Sequence, residues 1–297
     1  MNEKNLTFND LDVLLLVNVL IKKKFFISFV TFFAAILSVF IALSIPNTYK
    51  SSIVLAPSAP NNTSSELGNL AQFSSLAGIN IPTGGDSKST EAQERIKSLD
   101  FFTNEFLPYI KPENLVAIKS WNREEDSIEY DKSIFDPIKK KWVIKKSWPL
   151  DKSRPTNQEL YKSYKENLQI DENNDSGFIT ISFSSRSANL SKLWLDLIVA
   201  NINNSMREID KNTAQESIDF LQASKKDTNL QYMQEIFSRL TESQVQTLML
   251  ASSNKSYVLK IISPAYPSEQ KDMPNRALIC ILGTLIGFVA SCILTIA

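Results

Sequence analysis

Two long apolar runs, one near each end of the chain, constrain the fold more than any other feature of the sequence. Residues 25–45 and residues 277–297 contain no charged side chain. A helix needs about 20 apolar residues to cross the roughly 30 Å hydrocarbon core of a bilayer. Each run is long enough, so the sequence predicts two transmembrane helices that flank a polar central region, residues 46–276.

A cluster of lysines indicates how these helices are oriented. Lys22, Lys23 and Lys24 directly precede the first apolar run. Positive charges beside a transmembrane helix favour the cytoplasmic side. We therefore expect residues 1–24 to be cytoplasmic, residues 46–276 to lie on the opposite side, and the second helix to return to the cytoplasm. A retained anchor fits better than a cleaved signal peptide, whose apolar core is only about 7–15 residues long.

The composition excludes several classes of chemistry. The 297 residues include 32 basic and 32 acidic side chains, so the chain lacks the basic surplus of nucleic-acid-binding domains. The sequence contains no histidine, which rules out Ser-His-Asp and Cys-His catalysis and most zinc sites. Both cysteines, Cys280 and Cys292, lie in the second apolar run. We therefore predict no catalytic residues, no bound metal, no cofactor and no nucleic-acid partner.

Short patterns divide the central region into strands and helices. Alternating apolar residues predict strands at residues 49–55, 178–183 and 257–262. Helical spacing predicts helices at residues 90–107 and 158–168, and the charged residues 108–156 are expected to be irregular. The first strand leaves the membrane and the last returns to it. We therefore expect both in one membrane-proximal mixed sheet, with helices packed on it.

A long helical hairpin is predicted for the second half of the central region. Apolar residues recur at helical spacing over residues 187–252, where the sequence has neither glycine nor proline. One straight helix of that length would extend about 98 Å at 1.5 Å per residue, yet residues 257–262 must come back towards the second membrane helix. We predict one helix over residues 187–224, a turn at residues 224–229 and a returning helix over residues 230–252.

These elements together define a fold class. We expect an α+β membrane protein in which two transmembrane helices, residues 25–45 and 277–297, flank an α/β domain, residues 46–276. That domain contains the membrane-proximal mixed sheet and the long helical hairpin.

Two stretches of the central region contain residue types used in enzymes. A carboxylate-rich segment could supply the paired acids of a glycoside hydrolase; its members are Glu124, Glu125, Asp126, Glu129 and Asp131. Neighbouring basic residues favour a solvated surface instead. Residues 84–89 faintly resemble a phosphate-binding loop, but Ser87 stands where that loop requires glycine. A capped junction between a loop and a helix is the better interpretation.

A basic segment with two tryptophans is a candidate for contact with an anionic saccharide. It contains Lys139, Lys140, Lys141, Trp142, Lys145, Lys146 and Trp148. The lysines would supply positive charge, and the indole rings would supply flat faces for sugar rings. The structural alternative is an edge strand that its lysines protect against pairing.

Two further patterns concern the second membrane helix. Pro264, Pro267 and Pro274 lie just before it and predict a stiff, extended connector, because proline fixes φ and removes a hydrogen-bond donor. A simple helix stop is the alternative. Gly283 and Gly287 form a GxxxG pattern, which permits close packing of another helix. Apolar helices also contain this pattern by chance.

These residues resemble the chain-length-determinant (Wzz) family, the polysaccharide co-polymerases of bacterial inner membranes. The likeness is strongest over residues 215–297. It is carried by Leu248-Met249-Leu250-Ala251, the strand at Tyr257, Pro264-Ala265, and the run from Pro267 to Pro274-Asn275-Arg276. The chain departs from the family at Ser263, where members often have an acidic residue, and in lacking basic residues after the second apolar run.

The resemblance implies a periplasmic domain held by two inner-membrane helices and assembled as a homo-oligomeric ring. It implies a non-enzymatic regulator of the modal chain length of O-antigen (lipopolysaccharide) or a related surface polysaccharide. The implied partners are the membrane polysaccharide polymerase, the growing polysaccharide chain and the lipid bilayer. The alternative is a capsule or exopolysaccharide export co-polymerase controlled by a separate cytoplasmic tyrosine kinase. A third hypothesis, an extracytoplasmic hydrolase, requires a buried pair of carboxylates.

Overall fold

Two units make up the part of the chain that the computed structural model describes, residues 21–58, 85–143, 154–227, 231–253 and 256–296. Met1–Thr48 and Gln270–Ala297 form one unit, which we call the terminal unit. Tyr49–Glu269 form the other, which we call the central unit. Each unit is described by itself below.

In its described residues, the terminal unit has two apolar helices that run antiparallel. Helix α1 spans Lys24–Ser44 and helix α8 spans Arg276–Ile296. Both are long and apolar enough to cross a membrane. Beyond the helices, Thr48 donates its amide hydrogen to the carbonyl of Met273 at 2.9 Å and accepts one from the amide of Asp272 at 2.8 Å. The two terminal apolar helices of the predicted fold class are therefore confirmed.

The central unit combines strands and helices, which confirms the α+β class. Its strands in the described residues are β1 (Tyr49–Pro57), β2 (Ile118–Asn122), β3 (Ser127–Tyr130), β4 (Phe135–Asp136), β5 (Lys141–Trp142), β6 (Leu168–Glu172), β7 (Ile179–Ser185) and β8 (Leu259–Ser263). Its helices are α2 (Gly85–Ile96), α3 (Leu99–Phe101), α4 (Pro112–Val116), α5 (Asn157–Asn167), α6 (Ala188–Asp227) and α7 (Gln231–Ser253).

Four strands form the main sheet in the order β6-β7-β1-β8. The first and last strands are neighbours, with Leu55 opposite Ile261, as the sequence predicts. On its other side β1 pairs with β7, with Ile53 opposite Ile181. The expectation of a mixed sheet is corrected, since all three pairings are antiparallel. Strands β1 and β8 run in opposite directions, because the chain enters the central unit along β1 and ends its passage through the sheet along β8. Strands β6 and β7 are joined by a short turn, which also makes them antiparallel.

The helix predicted over residues 90–107 is divided in two. Helix α2 ends at Ile96, and the hydroxyl of Ser98 accepts a hydrogen bond from the amide of Phe101 at 3.1 Å. This N-cap begins a new helix, α3, which continues as the π-helical turn Phe102–Phe106. Serine hydroxyls satisfy the free amides at a helix start, so Ser98 marks a boundary that apolar spacing alone does not reveal.

The segment predicted to be irregular, residues 108–156, forms two small antiparallel hairpins in its described part, β2–β3 and β4–β5. Their exposed positions carry charged residues, such as Lys119 and Glu129, whose side chains pair across β2 and β3 at 3.0 Å. These charges conceal the alternation typical of a strand. Strand β6 also goes beyond the prediction, because it begins at Leu168 directly after the last residue of α5.

The predicted helical hairpin is confirmed, with a longer outgoing helix. Helix α6 runs to Asp227, beyond the predicted end at residue 224, and α7 returns from Gln231. Leu221 on α6 and Leu240 on α7 are buried, as expected for two packed antiparallel helices. The remaining residues of the predicted turn, 228–229, lie outside the described residues.

An aromatic cluster holds the first turns of α6 on the sheet. Trp194 of α6 meets Phe183 of β7 edge to face, with ring centroids 5.3 Å apart. Phe106 and Tyr164 extend the cluster at a centroid distance of 4.8 Å. All four rings are buried, and burying one large apolar side chain contributes about 1.5–3 kcal/mol. The long helix therefore starts from a fixed base.

Candidate functional site

The two glycines of the GxxxG pattern lie where α8 contacts α1. A Cβ atom added at Gly283 would come 2.3 Å from Oγ of Ser38, and one added at Gly287 would come 2.2 Å from Cβ of Ala34. The Ser38 hydroxyl also donates to the carbonyl of Ile279 at 2.9 Å. Small residues let two backbones approach closely. We call Ala34, Ser38, Gly283 and Gly287 the helix seam, and it joins the two apolar helices of one chain.

The three prolines of the predicted connector lie in different settings. Pro264 directly follows β8, and both it and Pro267 are exposed in the central unit. Pro274 is buried in the terminal unit. Between the first two, Ala265 is buried in the core of the central unit. The connector is therefore attached to the core at its start.

The basic segment is described only in part. Lys139 and Lys140 are exposed at the turn between β4 and β5, and Lys141 is exposed as the first residue of β5. Trp142 packs against Phe135, with ring centroids 5.2 Å apart at an angle of 64°. The edge-strand alternative fits β5, which pairs with β4 and carries an exposed lysine. The other members of the segment, Lys145, Lys146 and Trp148, lie outside the described residues.

The carboxylates considered for glycoside hydrolysis belong to the β2–β3 hairpin and the residue after it. The Ser120 hydroxyl, followed by Lys119, holds the pKa of Glu129 below its usual value. The hydroxyl and amide of Ser133 lower the pKa of Asp131 in the same way. A general acid needs a raised pKa, so both shifts have the wrong direction for that role.

The remaining carboxylates do not change this conclusion. Asp126 accepts a hydrogen bond from the indole nitrogen of Trp121 at 2.7 Å, while Glu124 and Glu125 are exposed. Within the described parts of the chain, no group of three or more His, Cys, Asp or Glu residues could hold a metal ion.

Asn203 joins the long helix to the last strand. Its Oδ1 atom accepts hydrogen bonds from the amides of Val258 at 2.8 Å and Leu259 at 3.0 Å. Its Nδ2 atom donates to the carbonyls of Leu259 and Val199, both at 3.0 Å. Because Asn203 is only 5% exposed, these bonds form in a water-poor setting. The side-chain amide of Asn203 therefore satisfies backbone groups at the edge of the sheet that a further strand would otherwise pair with.

Three polar residues from separate elements meet further along the same helix. Oδ2 of Asp210, on α6, accepts hydrogen bonds from Nζ of Lys88 and from the hydroxyl of Tyr257, both at 2.5 Å. Lys88 belongs to α2, and Tyr257 precedes β8. Burial, followed by the hydrogen bond to Asp210, raises the pKa of Tyr257. We call these residues the anchor triad, because they tie α6 to α2 and to the segment that precedes β8.

Sequence patterns do not reveal Asn203 or the anchor triad. Each member is a common residue type at an ordinary helical or loop position, and its partners lie far away in the chain. The signal that exists is weak: Asn203 and Asp210 lie on the same stretch of α6 as the buried apolar residues Ile202 and Met206. A polar residue within a buried helical stripe usually has a specific partner.

Comparison with known proteins gives one family match. Residues 9–105 match the family model described as Wzz, chain length determinant protein. This stretch includes α1, β1 and α2. No curated protein sequence matches the chain.

Two solved structures are similar to the chain at low sequence identity. A full-length bacterial polysaccharide co-polymerase is 10% identical, with 94% of this chain and 95% of that chain covered and a TM-score of 0.40. A fragment of WzzB, a polysaccharide co-polymerase from Salmonella Typhimurium, is 14% identical, with 76% of this chain and 100% of that chain covered and a TM-score of 0.28. The family match confirms the resemblance to the Wzz family of chain length determinants over residues 9–105. The likeness predicted to be strongest over residues 215–297 lies outside this match and stays a prediction.

Proposed function

We propose that this chain regulates, without catalysis of its own, the modal chain length of O-antigen or a related surface polysaccharide. It does so as a homo-oligomeric co-polymerase that works with the membrane polysaccharide polymerase on the growing polysaccharide. The family match over residues 9–105 carries this proposal. The two apolar helices, joined along the helix seam, are consistent with a protein anchored twice in a membrane.

The proposed location is the bacterial inner membrane, with the central unit in the periplasm. Lys24 is the first residue of α1, and Lys22 and Lys23 directly precede it. This places the positive charges at the end of the helix that would face the cytoplasm. The membrane-proximal position of the main sheet belongs to the same proposal, because β1 follows α1 after only a short stretch of chain.

In this proposal the chain acts through the geometry of its oligomer and through contact with the polymerase or the growing glycan. A rigid subunit is needed if an assembly is to set a length, and the fixed base of α6 and the anchor triad supply that rigidity. Lys139, Lys140, Lys141 and Trp142, together with Lys145, Lys146 and Trp148, remain the proposed contact for an anionic glycan. Lys139 and Lys140 on the turn and Lys141 at the start of β5 present exposed positive charge, which suits attraction to such a chain.

A strain that lacks the gene tests this function directly. Surface polysaccharide from that strain, separated on a gel, should still be made but should lose its modal band. A plasmid copy of the chain should restore the band. Unchanged band lengths in the deletion strain would contradict the proposal.

The same experiment separates the alternative of a kinase-controlled export co-polymerase. In that case the deletion would abolish or reduce exported capsule while the O-antigen ladder stayed normal. The genetic neighbourhood provides an independent criterion. An adjacent O-antigen polymerase favours our proposal, whereas an outer-membrane export channel favours the alternative.

A further inference from the structure

We propose that Arg123 is a positioning residue and that the β2–β3 hairpin is a clasp, which holds the proline connector at Ser268 against the first residue of β1. This inference rests on the proposed function, because it assigns that function a residue that orients the connector. All the residues involved belong to the central unit.

The tip of the hairpin contacts both ends of the central unit. The guanidinium of Arg123 lies 6.0 Å from the ring centroid of Tyr49 and 5.9 Å from that of Trp121. Its Nη2 atom donates to the carbonyl of Ser268 at 2.5 Å. Tyr49 is the first residue of β1, and Ser268 directly follows Pro267. One side chain therefore joins the two segments that lead to the two apolar helices.

The shape of the tip is fixed before it reaches these partners. Oδ1 of Asn122 accepts a hydrogen bond from the amide of Glu124 at 3.0 Å. Asp126 adopts a positive φ of 49°, a conformation that Asp tolerates better than most residues. Its carboxylate holds the indole nitrogen of Trp121, and the Trp121 ring meets Tyr49 edge to face at 5.2 Å. Arg123 is thus presented on a preformed turn beside two aromatic rings.

The base of the hairpin is closed by the amide of Asp131, which donates to the carbonyl of Ala117 at 2.8 Å. Other contacts attach this base to neighbouring elements, since the Tyr130 hydroxyl donates to Asn114 of α4 at 2.6 Å. Arg186, just after β7, donates to the carbonyl of Ile118. Because the hairpin is held at its base, its tip, and with it Arg123, has a fixed position relative to the rest of the central unit.

Tyr49, the residue on which Arg123 stacks, is itself held in place by the sheet and by α6. Tyr49 pairs with Ser185 of β7, and its carbonyl accepts a hydrogen bond from the Ser191 hydroxyl of α6 at 2.8 Å. Arg123 therefore connects Ser268 to a point that belongs to the rigid sheet. The contact therefore fixes the position of Ser268, in the part of the connector that belongs to the central unit, relative to the main sheet.

Distance measurements by electron paramagnetic resonance can test the clasp in the full-length chain. Spin labels at Asp175→Cys, in the exposed turn between β6 and β7, and Glu269→Cys, beside Ser268, would report the position of the connector. Cys280 and Cys292 are replaced by alanine in this background. The Arg123→Gln variant loses the stacking and the hydrogen bond together, so the ratio of released to clasped molecules should rise about tenfold. The distance distribution should broaden accordingly.

Two further variants make this measurement specific. Arg123→Lys keeps the charge but loses the planar fork, so it should give an intermediate distribution. Arg239→Gln, which removes an exposed arginine paired with Glu235 on α7, should leave the distribution unchanged. A narrow, unshifted distribution in the Arg123→Gln variant would overturn the clasp.

The length of the polysaccharide separates the clasp from the proposed function. We expect Arg123→Gln to broaden the modal band and Arg123→Lys to restore part of it. A broadened distance distribution with an unchanged band would overturn the positioning role. If the deletion strain itself keeps its normal band, the proposed function fails, and the spin-label distances still decide whether the clasp exists.

Discussion

The side chain of Asn203 completes the hydrogen bonding at the edge of the main sheet. Two backbone amides and one carbonyl of residues 258–259 find their partners in this one buried amide. A buried polar group left without a partner costs about 1–3 kcal/mol. Asn203 therefore matters more for stability than its type and its place within a long helix suggest.

Replacing Asn203 by alanine should destabilise the chain by about 2–4 kcal/mol, because the amides of Val258 and Leu259 would lose their acceptor in a buried setting. Thermal or urea unfolding of the purified protein in detergent, followed by circular dichroism, measures this loss. Asn204→Ala is the matched control, since Asn204 is the next residue of the same helix and is exposed. Equal stability of the two variants would contradict the assigned role of Asn203.

The carboxylates of the β2–β3 hairpin are not expected to catalyse any reaction of sugars. Purified protein should neither cleave nor transfer sugars, because Glu129 and Asp131 have lowered pKa values and Glu124 and Glu125 are exposed. Release of sugar from isolated polysaccharide is the measurement. Turnover that disappears in Glu124→Gln or Glu125→Gln would show that the chain is an enzyme after all.

Among the elements, the helix seam leaves no room for larger side chains. Leucine at both Gly283 and Gly287 would collide with Ser38 and Ala34 and force α1 and α8 apart. Overpacking of this kind costs about 1–3 kcal/mol or more. We expect the polysaccharide to be made, since the polymerase of the proposed function is a separate protein, but with a broad length distribution in place of a mode.

Ala290→Leu is the matched control for the seam, because Ala290 lies on the exposed face of the same helix. It adds similar bulk and should leave the modal band unchanged. A normal band in the double leucine variant, at normal protein levels, would mean that α8 is only an anchor.

The connector permits a weaker version of the same experiment. Replacing Pro267 and Pro274 by alanine adds no bulk, but it lets the connector adopt more backbone conformations. The modal band should broaden, but less than in the glycine variant, because Ala265 keeps the start of the connector in the core. An effect larger than that of the glycine variant would show that the prolines, and not the seam, dominate.

Sequence patterns predict the elements of this fold unevenly. Some elements are recognisable because their apolar residues recur with a clear helical or strand period, or form one long uncharged run. These elements are the two apolar helices, the helical hairpin and the strands β1, β7 and β8. The β2–β3 hairpin escapes prediction because charges occupy its exposed positions, and β6 escapes because no residue breaks the chain after α5. The clasp, the seam contacts and the role of Asn203 depend on partners far away in the sequence. Local sequence patterns do not show which distant residues will meet.

The orientation of the whole molecule in the membrane can be tested by thiol labelling. If the central unit is periplasmic, a cysteine at Asp175 should react with a membrane-impermeant thiol reagent in cells whose outer membrane has been permeabilised. A cysteine at Asn2 should react only after lysis, because the lysines before α1 place that end in the cytoplasm. Both cysteines are tested with Cys280 and Cys292 replaced by alanine. The reverse pattern of labelling would invert the proposed orientation.

The pairing of β1 with β8 also determines when the main sheet can be completed during synthesis. Leu55 emerges from the ribosome early, whereas its partner Ile261 emerges shortly before α8. Contacts so distant in sequence close late, since the loop between them must first be ordered. Until then the nascent chain exposes one edge of β1 to chaperones and proteases. Completion of the sheet thus coincides with delivery of the second apolar helix, and a prematurely terminated chain would present that open edge as a signal for degradation.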